Sequence, residues 1–167
     1  MLDYAFPYTV PEVKQQFSIL SRLLAEALQV KPGNEFSAKV GAYLEARRKL
    51  EAILKPSDYR YLSFQLWQEG VARYTEYRTA ELAARKYKPS KRFRGLKDYQ
   101  SFKAVADEIM KNTIKELVTL ELNEDQRVAF YPMGAGEALL LDRANPKWKG
   151  RYFTDKFHLD KYFEKTR

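Results

Sequence analysis

The sequence predicts an all-α fold of five to six helices, arranged as a single domain over residues 1–167. Three observations predict it. Apolar residues recur at three- and four-residue spacing over long stretches, which is the period of an α-helix. No alternating, strand-like pattern extends beyond a few residues. A length of 167 residues with 45% hydrophobic content suffices for one core, and no linker or internal repeat divides the chain.

Two helices are predicted over residues 12–30 and 36–54. A Lys-Pro-Gly-Asn turn at residues 31–34 separates them, because proline and glycine both interrupt helices. Pro56 ends the second helix. The apolar positions of each helix fall on one face, so both are expected to pack against the same core.

A long central helix is predicted over residues 57–86, with Ser57 as its N-cap. A helix of roughly 40 Å is unusual in a globular domain. It is expected either to be central and nearly buried or to break near Gly70. The aromatic residues along it favour the central, buried position: Tyr59, Tyr61, Phe64, Trp67, Tyr74 and Tyr77.

Three further helices are predicted over residues 99–122, 137–144 and 155–165. Asp98 is the expected N-cap of the first of them. The pair Asn123 and Gln126 has capping-box spacing and predicts the start of another element. That element is expected to be interrupted by three helix-breaking residues: Pro132, Gly134 and Gly136.

The composition excludes several classes of site. The chain has no cysteine, so disulfides, thiolate nucleophiles and cysteine-ligated metals are excluded. Its one histidine, His158, cannot supply a site that needs two or three. No transmembrane segment is expected, because no run of about 18 apolar residues occurs. Residues 1–11 lack the features of a signal peptide, and the sequence specifies no compartment beyond the expectation of a soluble chain.

Nearly all of the net charge of +8 lies in residues 85–97, which we call the basic segment. It contains no acidic residue and seven basic ones: Arg85, Lys86, Lys88, Lys91, Arg92, Arg94 and Lys97. The favoured interpretation is a solvated loop between helices. Contact with an anion or a membrane surface is the next, and nucleic acid, with Tyr87 and Phe93 stacking on bases, is the least favoured.

Residues 66–76 carry the pattern that is richest in chemistry. Glu69, Arg73 and Glu76 are spaced to share one face of a helix. Gly70 costs about 1 kcal/mol relative to alanine inside a helix, which suggests close approach of another backbone or room for something against the helix. The simpler interpretation is a ladder of ion pairs on a solvated face, each pair contributing roughly 0.3–0.5 kcal/mol.

Residues 67–74, Trp-Gln-Glu-Gly-Val-Ala-Arg-Tyr, resemble the W-x-E-G-x-A-x-Y stretch of gluzincin metallopeptidases. In that family an H-E-x-x-H helix supplies two histidine ligands, and a glutamate on a later helix is the third zinc ligand. The resemblance implies that Glu69 is the metal-ligand position. It also implies that the chain is the helical C-terminal part of a larger zincin-like domain.

A second stretch resembles the same family. Residues 130–135 and 139–142 are similar to the Y-x-x-G-a…L-L-D helix that follows the ligand helix in gluzincins. The resemblance implies that Tyr131 hydrogen-bonds the tetrahedral intermediate. It also implies that Glu76 and Arg73 help to orient the Glu69 carboxylate without contacting the metal themselves.

One departure from the family decides what the isolated chain is expected to do. No H-E-x-x-H occurs, so both histidine ligands and the general base are absent. We expect no hydrolysis, no tight zinc binding and no cofactor for this chain alone, and zinc only if another segment supplies H-E-x-x-H. The chain is then either part of a larger protein, with an exposed apolar patch, or a degenerate relative with that patch covered, for example by a dimer partner.

Two other functions stay open from the sequence. One is a non-catalytic helical binding module that uses the basic segment to contact an acidic protein, an anionic lipid or a nucleic acid. The other is an oligomerisation domain that uses a tyrosine-rich surface to form a homo-oligomer.

Three further groups of polar residues are interpreted as structural. His158 beside Asp160 is taken as an ordinary surface histidine. Residues 134–137 are interpreted as a helix start or a packing contact, because they lack the spacing of a phosphate-binding loop. Charges on the second helix are interpreted as solvated ion pairs: Glu45, Arg47, Arg48 and Glu51.

Overall fold

The computed structural model describes residues 4–163, and every regular element in that part of the chain is helical. The all-α prediction is confirmed, with six helices of ten or more residues: α1 Pro11–Gln29, α2 Asn34–Ile53, α3 Pro56–Gln65, α4 Val71–Lys86, α6 Phe102–Thr119 and α8 Phe130–Ala144. Two single-turn helices are α5 Lys91–Arg94 and α7 Leu122–Asp125. A π-turn spans Leu66–Gly70, and 3₁₀ turns span Gln126–Ala129, Trp148–Arg151 and Leu159–Phe163. None of these helices is long and apolar enough to cross a membrane.

The long central helix predicted over residues 57–86 is confirmed in extent. α3, the π-turn and α4 follow one another with helical backbone angles at each junction. The helix neither stays regular nor breaks near Gly70, because a π-turn takes up that position. The predicted N-cap, Ser57, is wrong: the N-cap is Lys55, two residues earlier, and Pro56 is the first helical residue, a position at which proline is favourable.

Helix α8 lies at the centre of the core, and all of residues 132–141 are buried. The prediction that Pro132, Gly134 and Gly136 interrupt this region is wrong. Pro132 falls in the first turn, where a helix needs no backbone donor. The two glycines face close neighbours: a Cβ on Gly136 would lie 2.9 Å from the side chain of Leu24. Position in the first turn and close tertiary contacts therefore explain why these proline and glycine residues, which usually interrupt helices, lie inside one.

The predicted helix starts in the second half of the chain also need correction. Ser101, not Asp98, is the N-cap of α6, and its hydroxyl accepts a hydrogen bond from the Ala104 amide at 3.1 Å. The capping box expected at residues 123–126 does not form. Instead, the Asp125 carboxylate accepts the backbone N–H of Glu121 at 2.9 Å.

The C-terminal segment, residues 148–163, folds back over the core as turns and 3₁₀ helices. The helix predicted over residues 155–165 is therefore found only in part, as the 3₁₀ helix Leu159–Phe163, and positions 164 and 165 lie outside the described residues. Phe157 has a φ of 73°, which an α-helix cannot accommodate. Aromatic stacking holds this segment on the long helix: the ring of Tyr152 stacks on Trp67 at a centroid distance of 4.5 Å.

Candidate functional site

The π-turn crosses α8 at two glycines. A Cβ on Gly70 would lie 2.3 Å from the Gly134 Cα, and a Cβ on Gly134 would lie 2.4 Å from the Leu66 carbonyl oxygen. Only glycine fits at either position. The close backbone approach expected at Gly70 is confirmed. The crossing brings Glu69, on the π-turn, beside Tyr131, on the first turn of α8, and π-turns are frequent at functional sites.

The Glu69 carboxylate is mostly buried and has one free oxygen. Its side chain is 16% exposed, and its Oε1 pairs with the Arg127 guanidinium at 2.5 Å. Its Oε2 is buried and accepts no hydrogen bond from the rest of residues 4–163. The pKa of Tyr131 lies above its usual value, chiefly because its hydroxyl is close enough to hydrogen-bond the Glu69 carboxylate. The Tyr131 hydroxyl is thus placed as a hydrogen-bond donor beside Glu69.

Arg73 and Glu76, which the resemblance places behind Glu69, lie elsewhere. Arg73 makes a two-pronged contact with Glu116 of α6, at 2.6 and 2.8 Å. Glu76 is exposed. The residue that does hold Glu69 is Arg127, which sequence reasoning missed because it lies on a separate turn with no motif of its own.

The resemblance implies zinc, but the residues present do not fit a complete zinc site. Among the described residues, no group of three or more histidine, aspartate, glutamate or cysteine side chains is placed to hold a metal ion. Glu69 offers one carboxylate, and the positive guanidinium of Arg127 occupies one of its oxygens. Structural and catalytic zinc sites use at least three protein ligands.

The basic segment is exposed at all seven of its charged residues. Arg85 pairs with Glu81 at 3.4 Å, and the other six have no ion-pair partner within residues 4–163. The two rings that were expected to be available for stacking pack instead against Phe102, with centroid distances of 5.7 Å for Tyr87 and 6.3 Å for Phe93. Both rings nevertheless stay partly exposed.

A second polar cluster, on α2 and α8, was missed. Arg47 is only 2% exposed, so its interpretation as part of a solvated ion pair is wrong. Its Nε lies 3.6 Å from the carboxylate of Glu137, which is fully buried on α8. The sequence did contain a signal of this burial. Arg47 lies four residues after Tyr43 and three before Leu50, so it shares a helix face with these two buried residues. Arg48 does pair with Glu45 at the surface, as expected.

His158 belongs to this second cluster. It is 26% exposed, so its interpretation as an ordinary surface histidine is wrong. Its ring packs near the ring of Tyr59, at a centroid distance of 6.2 Å, and burial lowers its pKa. Its Nδ1 lies 3.8 Å from Asp160, whose other oxygen accepts the Tyr59 hydroxyl at 2.8 Å. The 3₁₀ turn at Leu159–Phe163 brings Asp160 inward.

Comparison of the chain with known proteins gives no match to a family model, a curated protein or a solved structure. No comparison therefore shows a relationship to the gluzincins, which stays a prediction from the sequence. The function is argued below from the residues that the fold brings together.

Proposed function

We propose that this chain supplies the carboxylate half of a gluzincin-like metallopeptidase site and is not a complete hydrolase by itself. In this proposal Glu69 is the metal-facing residue, and Tyr131 is the hydrogen-bond donor beside it. The observation that supports it is the buried Glu69 carboxylate beside the Tyr131 hydroxyl, of which Arg127 holds one oxygen only. The histidines and the general base would come from an H-E-x-x-H segment outside these 167 residues.

Two features of the chain support this role. The Gly70–Gly134 crossing fixes the backbone that carries Glu69, and a rigid backbone keeps a ligand side chain in place. Arg127 holds one carboxylate oxygen and leaves the other unpaired. The ligand position is thus oriented by the chain before any metal binds.

For the chain alone, we expect zinc titration by calorimetry to show no sub-micromolar 1:1 binding. The physical reason is that one carboxylate, already paired with a guanidinium, cannot replace three ligands. Sub-micromolar binding by the monomer would show that the chain holds a complete site, and would contradict the proposal.

The complementary test uses the longest natural reading frame that contains these residues. Its product is expected to bind one zinc ion with an affinity that Glu69→Gln reduces by at least tenfold. Glu76→Gln is the matched control, because Glu76 is exposed on the same continuous helix and is expected to leave binding unchanged. A reading frame without H-E-x-x-H, or zinc binding that survives Glu69→Gln, would refute the proposal.

The exposure of the basic segment favours a second candidate function, contact with an anionic lipid surface. Six of its charged side chains lack an ion-pair partner in the described part of the chain, so their charge is available to a partner. Basic residues near an anionic membrane contribute about 1 kcal/mol each.

Replacing Lys91, Arg92 and Arg94 by glutamine is therefore expected to weaken binding to phosphatidylserine-containing vesicles by about 100-fold. The measurement is vesicle co-sedimentation at low and physiological salt, where binding by the natural chain should fall as salt rises. The control replaces three exposed lysines elsewhere, Lys31, Lys111 and Lys115, and removes the same charge. Equal losses in the two triple variants would rule out a specific role for the basic segment.

A further inference from the structure

A cavity of about 490 Å³ opens between α2 and the C-terminal segment. It lies at the second polar cluster and shares no residue with Glu69 and its neighbours. Its wall is partly charged and partly apolar, and it includes Leu44, Arg47, Tyr59, His158, Asp160 and Phe163. Its volume falls in the range of about 300–1,000 Å³ that is typical of small-molecule sites.

The wall of this cavity contains a buried arginine, Arg47. None of the three guanidinium nitrogens of Arg47 makes a hydrogen bond within the described chain, although the side chain is 98% enclosed by protein, with 2% exposed. Glu137, directly behind Arg47, is its ion-pair partner at 3.6 Å and also lies beside the Tyr43 hydroxyl. Buried polar groups nearly always have hydrogen-bond partners. Arg47 therefore has an ionic neighbour but no hydrogen bond of ordinary length, which leaves its guanidinium donors for a ligand.

The opposite wall of the cavity, formed by the C-terminal segment, also contains polar atoms without a hydrogen-bond partner. Asp160 uses one oxygen to accept the Tyr59 hydroxyl at 2.8 Å, while its other oxygen is buried and unpaired. The Nδ1 of His158 is also unpaired, 3.8 Å from that free oxygen. Asp160 therefore presents a free acceptor, held in a fixed direction by Tyr59.

Charges of both signs surround the cavity. Arg47, Arg48 and Lys161 line it on the positive side, and Glu51 and Asp160 line it on the negative side. Glu137, directly behind Arg47, adds a third carboxyl group. Of these lining groups Arg47 and Asp160 are the most enclosed, and they carry opposite charges, whereas Arg48, Glu51 and Lys161 are exposed. A ligand that carries both signs would pair with both.

We propose that this cavity binds a free α-amino acid with an apolar side chain. Its carboxylate would accept from the Arg47 guanidinium, a donor that suits planar carboxylates. Its ammonium group would donate to the free oxygen of Asp160. Its side chain would lie against the apolar part of the wall, Leu44 and Phe163. This site is independent of the function proposed for Glu69, and either can fail without the other.

The test is a calorimetric titration of the full chain with L-phenylalanine and two blocked analogues. N-acetyl-L-phenylalanine keeps the carboxylate and L-phenylalaninamide keeps the ammonium group. We expect L-phenylalanine to bind at least tenfold more tightly than either analogue, because only the zwitterion pairs with both walls. Equal binding of the three compounds, or no binding at millimolar concentration, would overturn the proposal and leave ordered water as the partner of the buried groups.

A spectroscopic readout and a variant make the test specific. His158 is the only histidine in the chain, so its imidazole proton signals are identified without further assignment. They are expected to shift saturably with L-phenylalanine. Asp160→Asn keeps an acceptor for Tyr59 but removes the charge, and it should weaken L-phenylalanine binding at least tenfold while leaving the N-acetyl analogue unchanged. Asp107→Asn, an exposed carboxylate on α6, is the control. Unchanged L-phenylalanine binding in Asp160→Asn would overturn the proposal.

Discussion

Replacing Gly70 by alanine is expected to lower the free energy of unfolding by about 3 kcal/mol. The added methyl group would lie 2.3 Å from the Gly134 Cα and 2.6 Å from its carbonyl carbon. These are backbone atoms of a buried helix, so the two elements must move apart. The gain of about 1 kcal/mol in helix propensity does not offset that separation. Urea denaturation followed by circular dichroism measures the change.

Gly41→Ala is the matched control for this experiment. Gly41 lies inside α2 and is exposed, and a methyl group there would meet no atom within 4 Å. The same substitution is therefore expected to stabilise the protein by up to about 1 kcal/mol, through helix propensity alone. Equal effects at the two positions would mean that the π-turn and α8 do not touch at Gly70.

Replacing Arg47 by leucine is expected to lower the free energy of unfolding by about 3–5 kcal/mol at pH 8. The substitution leaves the Glu137 carboxylate buried without its cationic neighbour. The double variant Arg47→Leu with Glu137→Gln should recover most of the loss, because no buried charge then remains. The measurement is again urea denaturation. A double variant as unstable as the single one would show that the packing of Arg47, not its charge, accounts for the effect.

The pH dependence of the free energy of unfolding is a second test of the buried Arg47–Glu137 pair. Burial raises the pKa of Glu137 to about 7, although Arg47 opposes the shift. A carboxyl group whose pKa is raised in the fold stabilises the protein fully below its unfolded pKa, and this contribution is lost as the pH rises through about 7. Relative to Glu137→Gln, the natural chain should therefore lose about 3 kcal/mol between pH 4 and pH 8. Parallel stability curves for the two proteins would contradict a raised pKa.

The sequence predicts the parts of this fold that local patterns encode. The all-α class and the long helix through Gly70 follow from apolar periodicity and from the lack of strand patterns. The close approach at Gly70 follows from the cost of glycine inside a helix. The π-turn could not be predicted, because one extra residue in a turn does not disturb a periodicity read over a longer window.

The parts that the sequence does not predict depend on partners from distant segments. Pro132 and Gly134 signal a break locally, yet the packing of α8 against the π-turn keeps them helical. From the sequence alone Arg47 resembles a surface residue, because its partner Glu137 lies on a distant helix. His158 likewise becomes enclosed only when the C-terminal segment folds over Tyr59. Both polar sites therefore depend on tertiary contacts that spacing alone does not show.

The π-turn also affects how the length of this chain can vary. A π-turn closes with an i→i+5 hydrogen bond, so it takes up one residue more than an α-turn. Deletion of one residue from Leu66–Gly70 would therefore leave a regular α-turn and keep α4 close to its present orientation relative to α3. Arg73 would stay beside Glu116 and Tyr74 beside Asp142, whose carboxylate accepts its hydroxyl at 2.7 Å. Gln68 is exposed, so it is the residue of the π-turn whose removal the fold would tolerate best.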